Sequence, residues 1–384
     1  MRLLKNWHHE QLGPICSKIG SGATPRGGES VYVGEGTAII RSQNVYNGLF
    51  SSDGLAYLAE QHTEQLKGVT VESRDVLLNI TGDSVARCCQ VPDWVLPARV
   101  NQHVAIVRPN SDRLLPEFLS YYFISPLMQR YLLSRAGSGG TRNALTKGMI
   151  ESLEVPCPSL PVQQRIVALL KNYDDLIENN RRRIQLLEQA ARLLYKEWFV
   201  HLRFPGHEHV KITDGVPDGW HRKPLGDIAP LKYGKALKQD DRIPGPFPVY
   251  GSSGIVGTHQ KALVAGPGIV VGRKGNVGSV YWSEDDFHPI DTVYFIEREN
   301  SSIHLYYALL HTTFISTDVA VPGLNRDFAH SRSLLIPEPK ILRLFEDIAS
   351  PIHRQIDSLQ KYNMALAKAR DMLLPRLMNG EIEI

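Results

Sequence analysis

Cysteine is scarce: Cys16, Cys88, Cys89 and Cys157 are the only four in 384 residues. None has the CxxC or Cys/His spacing of a zinc site. The neighbours Cys88 and Cys89 would make a poor structural disulfide, so a reduced, cytoplasmic chain is expected. Long apolar runs are missing too, and none approaches the roughly 20 residues that a membrane-spanning helix needs. The opening MRLLKNWHHEQLG has no apolar signal core, so no secretory leader is expected. No HExxH pair occurs among the 14 histidines, and His207 and His209 flank Glu208 in a Pro/Gly loop that reads as linker. No metal site is expected, and no GxxxxGK[ST] phosphate loop is present. A strong excess of one charge is also absent, since 43 Lys and Arg face 40 Asp and Glu for a net charge of +3. That balance permits a nucleic-acid partner without demanding one, because a basic groove can hide in a near-neutral total.

What is present is a soluble globular composition, 42% hydrophobic and 22% charged. The chain is too long for one ordinary core, so two to three domains are expected. Its main signal is an internal duplication. Trp7–His8 with Leu12–Gly13–Pro14–Ile15 matches Trp220–His221 with Leu225–Gly226–Asp227–Ile228 at a constant offset of 213 (220 − 7 and 228 − 15). DVLLNITGDSVARCC (Asp75–Cys89) resembles GIVVGRKGNVGSVYW: a β-rich run, a polar Gly-containing turn, then a second run. NQHVAIVRP parallels IDTVYFIER, and LLPEFLSYYFIS parallels SSIHLYYALLHT. Each copy closes on a polar loop and a Pro pair, Arg142 and Asn143 before Pro156 and Pro158, Asn325 and Arg326 before Pro337 and Pro339.

A long helix follows each Pro pair. Ile166, Leu170, Tyr173, Ile177, Asn180, Ile184, Leu187, Ala191, Leu194 and Trp198 alternate spacings of four and three. Ile348, Ile352, Gln355, Leu359, Tyr362, Leu366, Ala369 and Leu373 do the same, at an offset of 182 (348 − 166). This is the seam of a left-handed coiled coil, with Asn180 and Gln355 as polar breaks able to fix register. The alternative is that each helix packs on its own domain. Forty helical residues would span roughly 60 Å. The linker FPGHEHVKITDGVPDGW separates the copies.

The stretch GPGIVVGRKGNVGSVYW (Gly266–Trp282) raises a competing reading, a nucleotide cradle in an enzyme. A dinucleotide loop, however, must open a helix after a strand, with an acidic residue about 20 positions on. Here IVV and SVYW read as two strands and GRKGNVG as the turn between them.

The arrangement resembles the specificity subunit of Type I restriction–modification systems. The resemblance spans essentially the whole chain and rests on the repeated W…LG(D)I openings, TPRGG (Thr24–Gly28) and FPVYGSSGIVGTH (Phe247–His259). PSLPVQQRIVALL before the first long helix and the terminal LLPRLMNGEIEI add to it. The second helix departs by opening with PKILRLFEDIA rather than a Gln-containing form. The resemblance implies an α+β fold: two similar mixed α/β target-recognition domains, each followed by a long helix, the two helices pairing as an antiparallel coiled coil. The expected division is 1–158 for the first recognition domain, 159–202 for the central helix, 203–219 for the linker, 220–339 for the second domain and 340–384 for the C-terminal helix and tail. It implies a non-catalytic DNA-recognition subunit, each domain reading one half of a bipartite, asymmetric duplex site. Expected partners are double-stranded DNA, two modification subunits and optionally two restriction subunits. S-adenosylmethionine would belong to the modification partner, ATP and Mg to the restriction partner, and no cofactor to this chain. The absence of an Asn/Asp-Pro-Pro-aromatic methyltransferase element, and the reading of Glu284, Asp285 and Asp286 as a solvated turn, fit that division. A coiled-coil scaffold without DNA contacts is the third reading, and it leaves the duplicated polar loops unexplained.

DNA recognition needs phosphate ligands that position and base-edge readers that specify, Arg for guanine and Asn or Gln for adenine. Loop residues of these types are the candidates. The first copy offers Thr24, Arg26, Arg41, Gln43, Asn44, Asn79, Thr81, Ser84, Arg87, Asn101, Gln102, His103, Thr141, Arg142 and Asn143, with Ser42 and Tyr46 as backbone contacts. The second offers Lys232, Lys235, Lys238, Tyr250, Ser252, Ser253, His259, Arg273, Lys274, Asn276, Asn325 and Arg326. The run Arg181–Arg183 reads either as a contact to DNA or a partner, or as a solvated face paired with nearby acids such as Asp174 and Glu178.

Overall fold

The computed structural model describes residues 7–137, 143–314 and 323–382. The chain forms two compact units, Met1–Ile177 with Met364–Ile384, and Glu178–Asn363.

In the first unit, the run Val76–Asn79 is wholly buried and forms the middle of a four-stranded antiparallel sheet. Its neighbours are Cys88–Gln90 on one side and Val104–Pro109 on the other, with Cys16–Ser21 beyond. Near-continuous apolar runs are what a sheet covered on both faces requires. One face packs on the helix Pro116–Ile124 through Phe118, Leu119 and Phe123; the other faces a second core of Val45, Val71, Val91 and Val100. A five-stranded sheet completes the unit, with Thr37–Ile40 parallel to Ala98–Val100 at its centre. His9–Gln11 pairs with Glu154–Pro156 and brings the chain to the start of the long helix Leu160–Tyr195.

The second unit repeats the four-stranded sheet of this plan strand for strand. Its four-stranded sheet runs Val280–Ser283, Gly268–Gly272, Val293–Ile296, Lys232–Tyr233, again antiparallel throughout. His221–Pro224 pairs with Ser333–Ile336 as His9–Gln11 does with its partner. The parallel pair also recurs, Phe247–Gly251 with His288–Pro289, but in a sheet of three strands. Gly22 and Gly234 mark the same close approach in the two copies. A Cβ on Gly22 would collide with the Val100 carbonyl oxygen, and one on Gly234 with that of Ile290.

Matching hydrogen bonds align the copies. Leu12 N donates to Leu153 O and Leu225 N to Arg332 O; Leu145 N donates to Ile80 O and Leu324 N to Arg273 O. The offset is therefore 213 at the start (225 − 12) and 179 by the end (332 − 153 and 324 − 145), which makes the first copy 34 residues longer.

The offset of 179 corrects the seam of the C-terminal helix Pro339–Met378. In the first long helix the expected positions are inward: Ile166, Leu170, Ile177, Asn180, Ala191 and Trp198 are buried, and Tyr173, Ile184, Leu187 and Leu194 half-buried. Adding 179 to them gives Phe345, Ala349, Ile352, Ile356, Leu359, Asn363, Leu366, Arg370, Leu373 and Leu377, all buried or half-buried. Ile348, Gln355 and Tyr362 are exposed instead. A shift of three residues turns a helical stripe by about 60°, so the apolar residues of the exposed stripe drew the pattern off the seam. Ile352, Leu359 and Leu366 keep their places because wide apolar faces overlap.

The long helices pair antiparallel within each unit. In the first, Ile166 and Leu170 share a core with Leu374 and Leu377, and Asp174 Oδ1 meets Arg370 Nη1 at 2.6 Å. In the second, Asn180 Nδ2 donates to Asn363 Oδ1 at 2.9 Å, so Asn363 rather than Gln355 is the polar partner. Ala191, Tyr195 and Trp198 pack there with Ile341, Phe345 and Ala349.

The departure at the second helix start has a structural answer. Gln163 is fully buried, accepts from Leu115 N and donates to the carbonyls of Arg113 and Pro158. Its aligned position, 179 further on, is Leu342. Glu346, one turn later, accepts from Ile303 N and His304 N and so caps the helix Ile303–Leu310.

Candidate nucleic-acid interface

In each unit the strand at the heart of the four-stranded sheet ends in a polar turn. In the first, Thr81–Ser84 follow Val76–Asn79; Gly82 and Ala86 have φ of +74° and +71°. In the second, Gly275 and Gly278, both at +77°, hold the matching places after Gly268–Gly272. The bonds that close the turns correspond as well, Ala86 N to Asn79 O at 2.8 Å and Gly278 N to Gly272 O at 2.9 Å. An isolated bridge then ties each turn to a later loop, Thr81 to Ala144 and Lys274 to Gly323. Short helices follow, capped by Thr146 and Asn325, whose side chains accept from Met149 N and Phe328 N. The Asn325 counterpart is therefore Thr146, not Asn143.

These facts remove the nucleotide cradle. Gly266–Trp282 runs strand, turn, strand, Gly268–Gly272 pairing antiparallel with Val280–Ser283, and no helix opens after the first strand. Gly272 is needed because a Cβ there would strike the Asn276 carbonyl oxygen and Ser279 Oγ. The glycines shape the turn; they do not cradle a phosphate at a helix start.

Around the first turn lies an open concavity of about 430 Å³ lined by Gln43, Tyr46, Thr81, Ser84, Arg87 and His103, with Ser42 and Asp83 at its wall. The Arg87 guanidinium lies 4.9 Å from the Tyr46 ring centre, and Thr81 Oγ1 is 2.6 Å from His103 Nδ1. Gln102 Nε2 is 3.3 Å from His103 Nε2. Hydroxyl, amide, imidazole and guanidinium groups thus converge on one exposed surface. Thr24, Arg26, Gln102 and Asn143 are exposed but do not line it. Thr141 and Arg142 lie outside the described residues.

Several candidates turn out to build the loops rather than face outward. Asn44 is fully buried; it accepts from Arg41 N and donates to the carbonyls of Ser51 and Asp53. Asn79, also buried, donates to Ser42 O at 2.9 Å, and Asn101 accepts from His103 N. Arg41 is held by Glu29 and the Gly54 carbonyl. Asparagine in a turn satisfies local backbone groups as readily as it reads a base, and the sequence does not distinguish the two.

In the second unit, Arg273, Lys274, Asn276 and Arg326 gather around the turn. The Arg273 guanidinium lies 5.0 Å from the Tyr233 ring centre and 5.8 Å from that of Tyr294, and donates to Asp291 O at 3.0 Å. Arg326 lies 5.2 Å from Tyr233. The Tyr294 hydroxyl donates to Leu324 O at 2.9 Å, and burial first, then Tyr233, pushes its pKa up to about 12. His330 accepts from Leu231 N, and burial, then Arg326, lowers its pKa. Ser252 supports the turn, its carbonyl accepting from Ser279 Oγ at 2.6 Å and Tyr281 OH at 3.2 Å. Lys235, Lys238 and Ser253 are exposed, Lys232 pairs with Glu297, and His259 Nδ1 accepts from Ile243 N. Tyr250 is buried in a core with Phe287 and Phe295, so it is a packing residue. Tyr233, half-exposed, escaped the sequence reading; the signal was KYGK, an aromatic between basic residues beside the Gly234 approach.

Neither unit carries a group of three or more His, Cys, Asp or Glu placed to hold a metal, among the described residues. Asp285 of the acidic run is paired with Lys361, and Glu284 accepts from Trp282 Nε1. Arg181 and Arg182 pair with Glu178, as the solvated-face reading expects. No described helix is long and apolar enough to cross a membrane.

The profile of the Type I restriction modification DNA specificity domain matches residues 5–189 and 217–326. The Type I restriction enzyme MjaIX specificity subunit of Methanocaldococcus jannaschii is 26% identical, over 100% of this chain and 95% of its own length. The HindI specificity subunit of Haemophilus influenzae is 24% identical, over 74% of this chain and 81% of its own. Among solved structures, the S subunit of a Type I restriction–modification system from M. genitalium superposes with a TM-score of 0.64 at 18% identity, over 97% of both chains.

Proposed function

Because this chain belongs to the Type I restriction modification DNA specificity family, we propose that it is the sequence-specific DNA-recognition subunit of a Type I restriction–modification complex. The observation that carries this reading is the duplicated sheet whose equivalent turns present different side chains. Thr81, Asp83 and Ser84 stand in one unit where Lys274, Asn276 and Val277 stand in the other. Two such readers on one backbone plan suit a bipartite duplex whose halves differ. The first half-site meets Gln43, Thr81, Ser84, Arg87 and His103, and the second meets Arg273, Lys274, Asn276 and Arg326. Positioning on the duplex comes from exposed lysines and arginines against phosphates, and discrimination from side chains that reach base edges. The chain supplies recognition. Methyl transfer to adenine, with S-adenosylmethionine, belongs to a modification partner, present in two copies. Cleavage, with ATP and Mg, belongs to a restriction partner where one is present.

The test assembles the chain with its modification partner and maps methylated sites with and without this gene. Exchange of the second unit for that of another family member should change one half-site and leave the other intact. Unchanged specificity after that exchange would refute the assignment. Affinity should also fall steeply with salt, since several phosphates are engaged.

A further inference from the structure

Two guanidinium groups approach one phenol ring in the second unit, Arg273 at 5.0 Å and Arg326 at 5.2 Å from the centre of Tyr233. Like charges gathered this way oppose each other. Even so, neither has a carboxylate partner among the described residues. Arg273 Nη1 donates to the Asp291 carbonyl at 3.0 Å, and its guanidinium also hydrogen-bonds the Tyr294 hydroxyl. The backbone holds the group in place. Leu324 N donates to Arg273 O at 2.8 Å, which sets Arg326 two residues on, and Tyr233 pairs in the ladder with Tyr294. In the first unit the corresponding places hold Ser21, Ile80 and Lys147, identified by the Ala105–Ser21 register, the Leu145–Ile80 hydrogen bond and the Thr146 cap.

We infer that Arg273 and Arg326, stacked on Tyr233, read guanine in the half-site met by the second unit. This rests on the DNA-recognition function above and adds the base. Guanine alone offers two acceptors, O6 and N7, on its major-groove edge, which match the planar fork of an arginine. Stacking on an aromatic face orients that fork before binding, and a lysine cannot take this role. With Ser21, Ile80 and Lys147 at the equivalent positions the first unit cannot build this cluster there, and its own arginine–tyrosine contacts, such as Arg87 on Tyr46, lie elsewhere, so the two half-sites differ at this place.

The test uses the full chain in complex with its modification partner. Sequencing of methylated DNA gives both half-sites, and the one that changes on exchange of the second unit is expected to contain guanine. Replacing that guanine with 7-deazaguanine removes N7 and should weaken competition binding by the wild-type complex about 5- to 150-fold. Arg273→Lys or Arg326→Lys should relax discrimination at that base by a similar factor and leave the first half-site unchanged. A second half-site without guanine overturns the inference. So does undiminished binding to the 7-deazaguanine duplex, or lysine variants that weaken every duplex equally, which is how a phosphate contact behaves. A wild-type complex with no sequence preference at all would overturn the DNA-recognition function itself.

Discussion

At the end of Val76–Asn79 the first unit turns through Thr81, Gly82, Asp83 and Ser84, whereas at the end of Gly268–Gly272 the second turns through Lys274, Gly275, Asn276 and Val277. The positive φ of the glycine, the closing hydrogen bond and the bridge to a later loop are the same in both. The side chains facing out are not. The 34 extra residues of the first copy go largely into its second sheet, five strands against three, and leave the four-stranded sheet unaltered. Positions fixed by backbone geometry are thus repeated and positions fixed only by what they contact are free to diverge. That is how one plan can carry two specificities.

The strongest challenge to the shared plan is at its glycines. Gly22→Ala and Gly234→Ala each drive a methyl into a backbone carbonyl, and each should cost its unit about 4 kcal/mol or more. Chemical denaturation read by hydrogen exchange should locate the loss in the mutated unit, and a harmless substitution in either would break the equivalence. Acid should separate the units next. His304 and His353, the buried histidines among the described residues, both lie in the second unit, where burial pushes each pKa down to about 4 from an ordinary 6.5. The unfolded chain takes up these protons as pH falls below 6.5 while the folded unit does not. Stability is therefore lost between pH 6.5 and about 4, by about 3 kcal/mol per histidine. Unfolding midpoints across that range should show a smaller slope in His304→Phe.

Smaller effects test the helix starts. Gln163→Ala strands Leu115 N and two carbonyls in the first unit, and Glu346→Ala uncaps the helix Ile303–Leu310 in the second. Each should cost about 1–3 kcal/mol by denaturant titration. Equal losses would show that unlike residues one turn apart do the same work. Least of all should be Asn180→Leu with Asn363→Leu, where removing both polar partners is expected to change stability by only about 1 kcal/mol. Its effect should appear as looser pairing of the helices, measured by cysteine cross-linking.

The duplication was legible because it is written in residues that packing and turns select, such as Trp7 and Trp220, Leu12 and Leu225, and the two Tyr-rich helices. The seam of the first long helix was equally plain. That of the second was not, because Ile348 and Tyr362 are apolar yet exposed while Asn363 and Arg370 are polar yet turned inward. The turns at Thr81–Arg87 and Arg273–Asn276 stood out by composition. In the Ser42–Asn44 loop, however, the sequence had no means to separate Asn44, buried on backbone groups, from Gln43, open to solvent one residue away.

By itself, then, the sequence determined the two-copy plan, the strand–turn–strand reading of Gly266–Trp282 and the presence of two long helices, since periodicity and turn chemistry are local properties. Only the tertiary structure decided which stripe of the C-terminal helix pairs, that Asn180 meets Asn363, and that Tyr233 lies under Arg273 and Arg326. Those depend on which groups distant in sequence meet, and a strand register or a helix rotation of 60° changes all of them while leaving the local pattern intact.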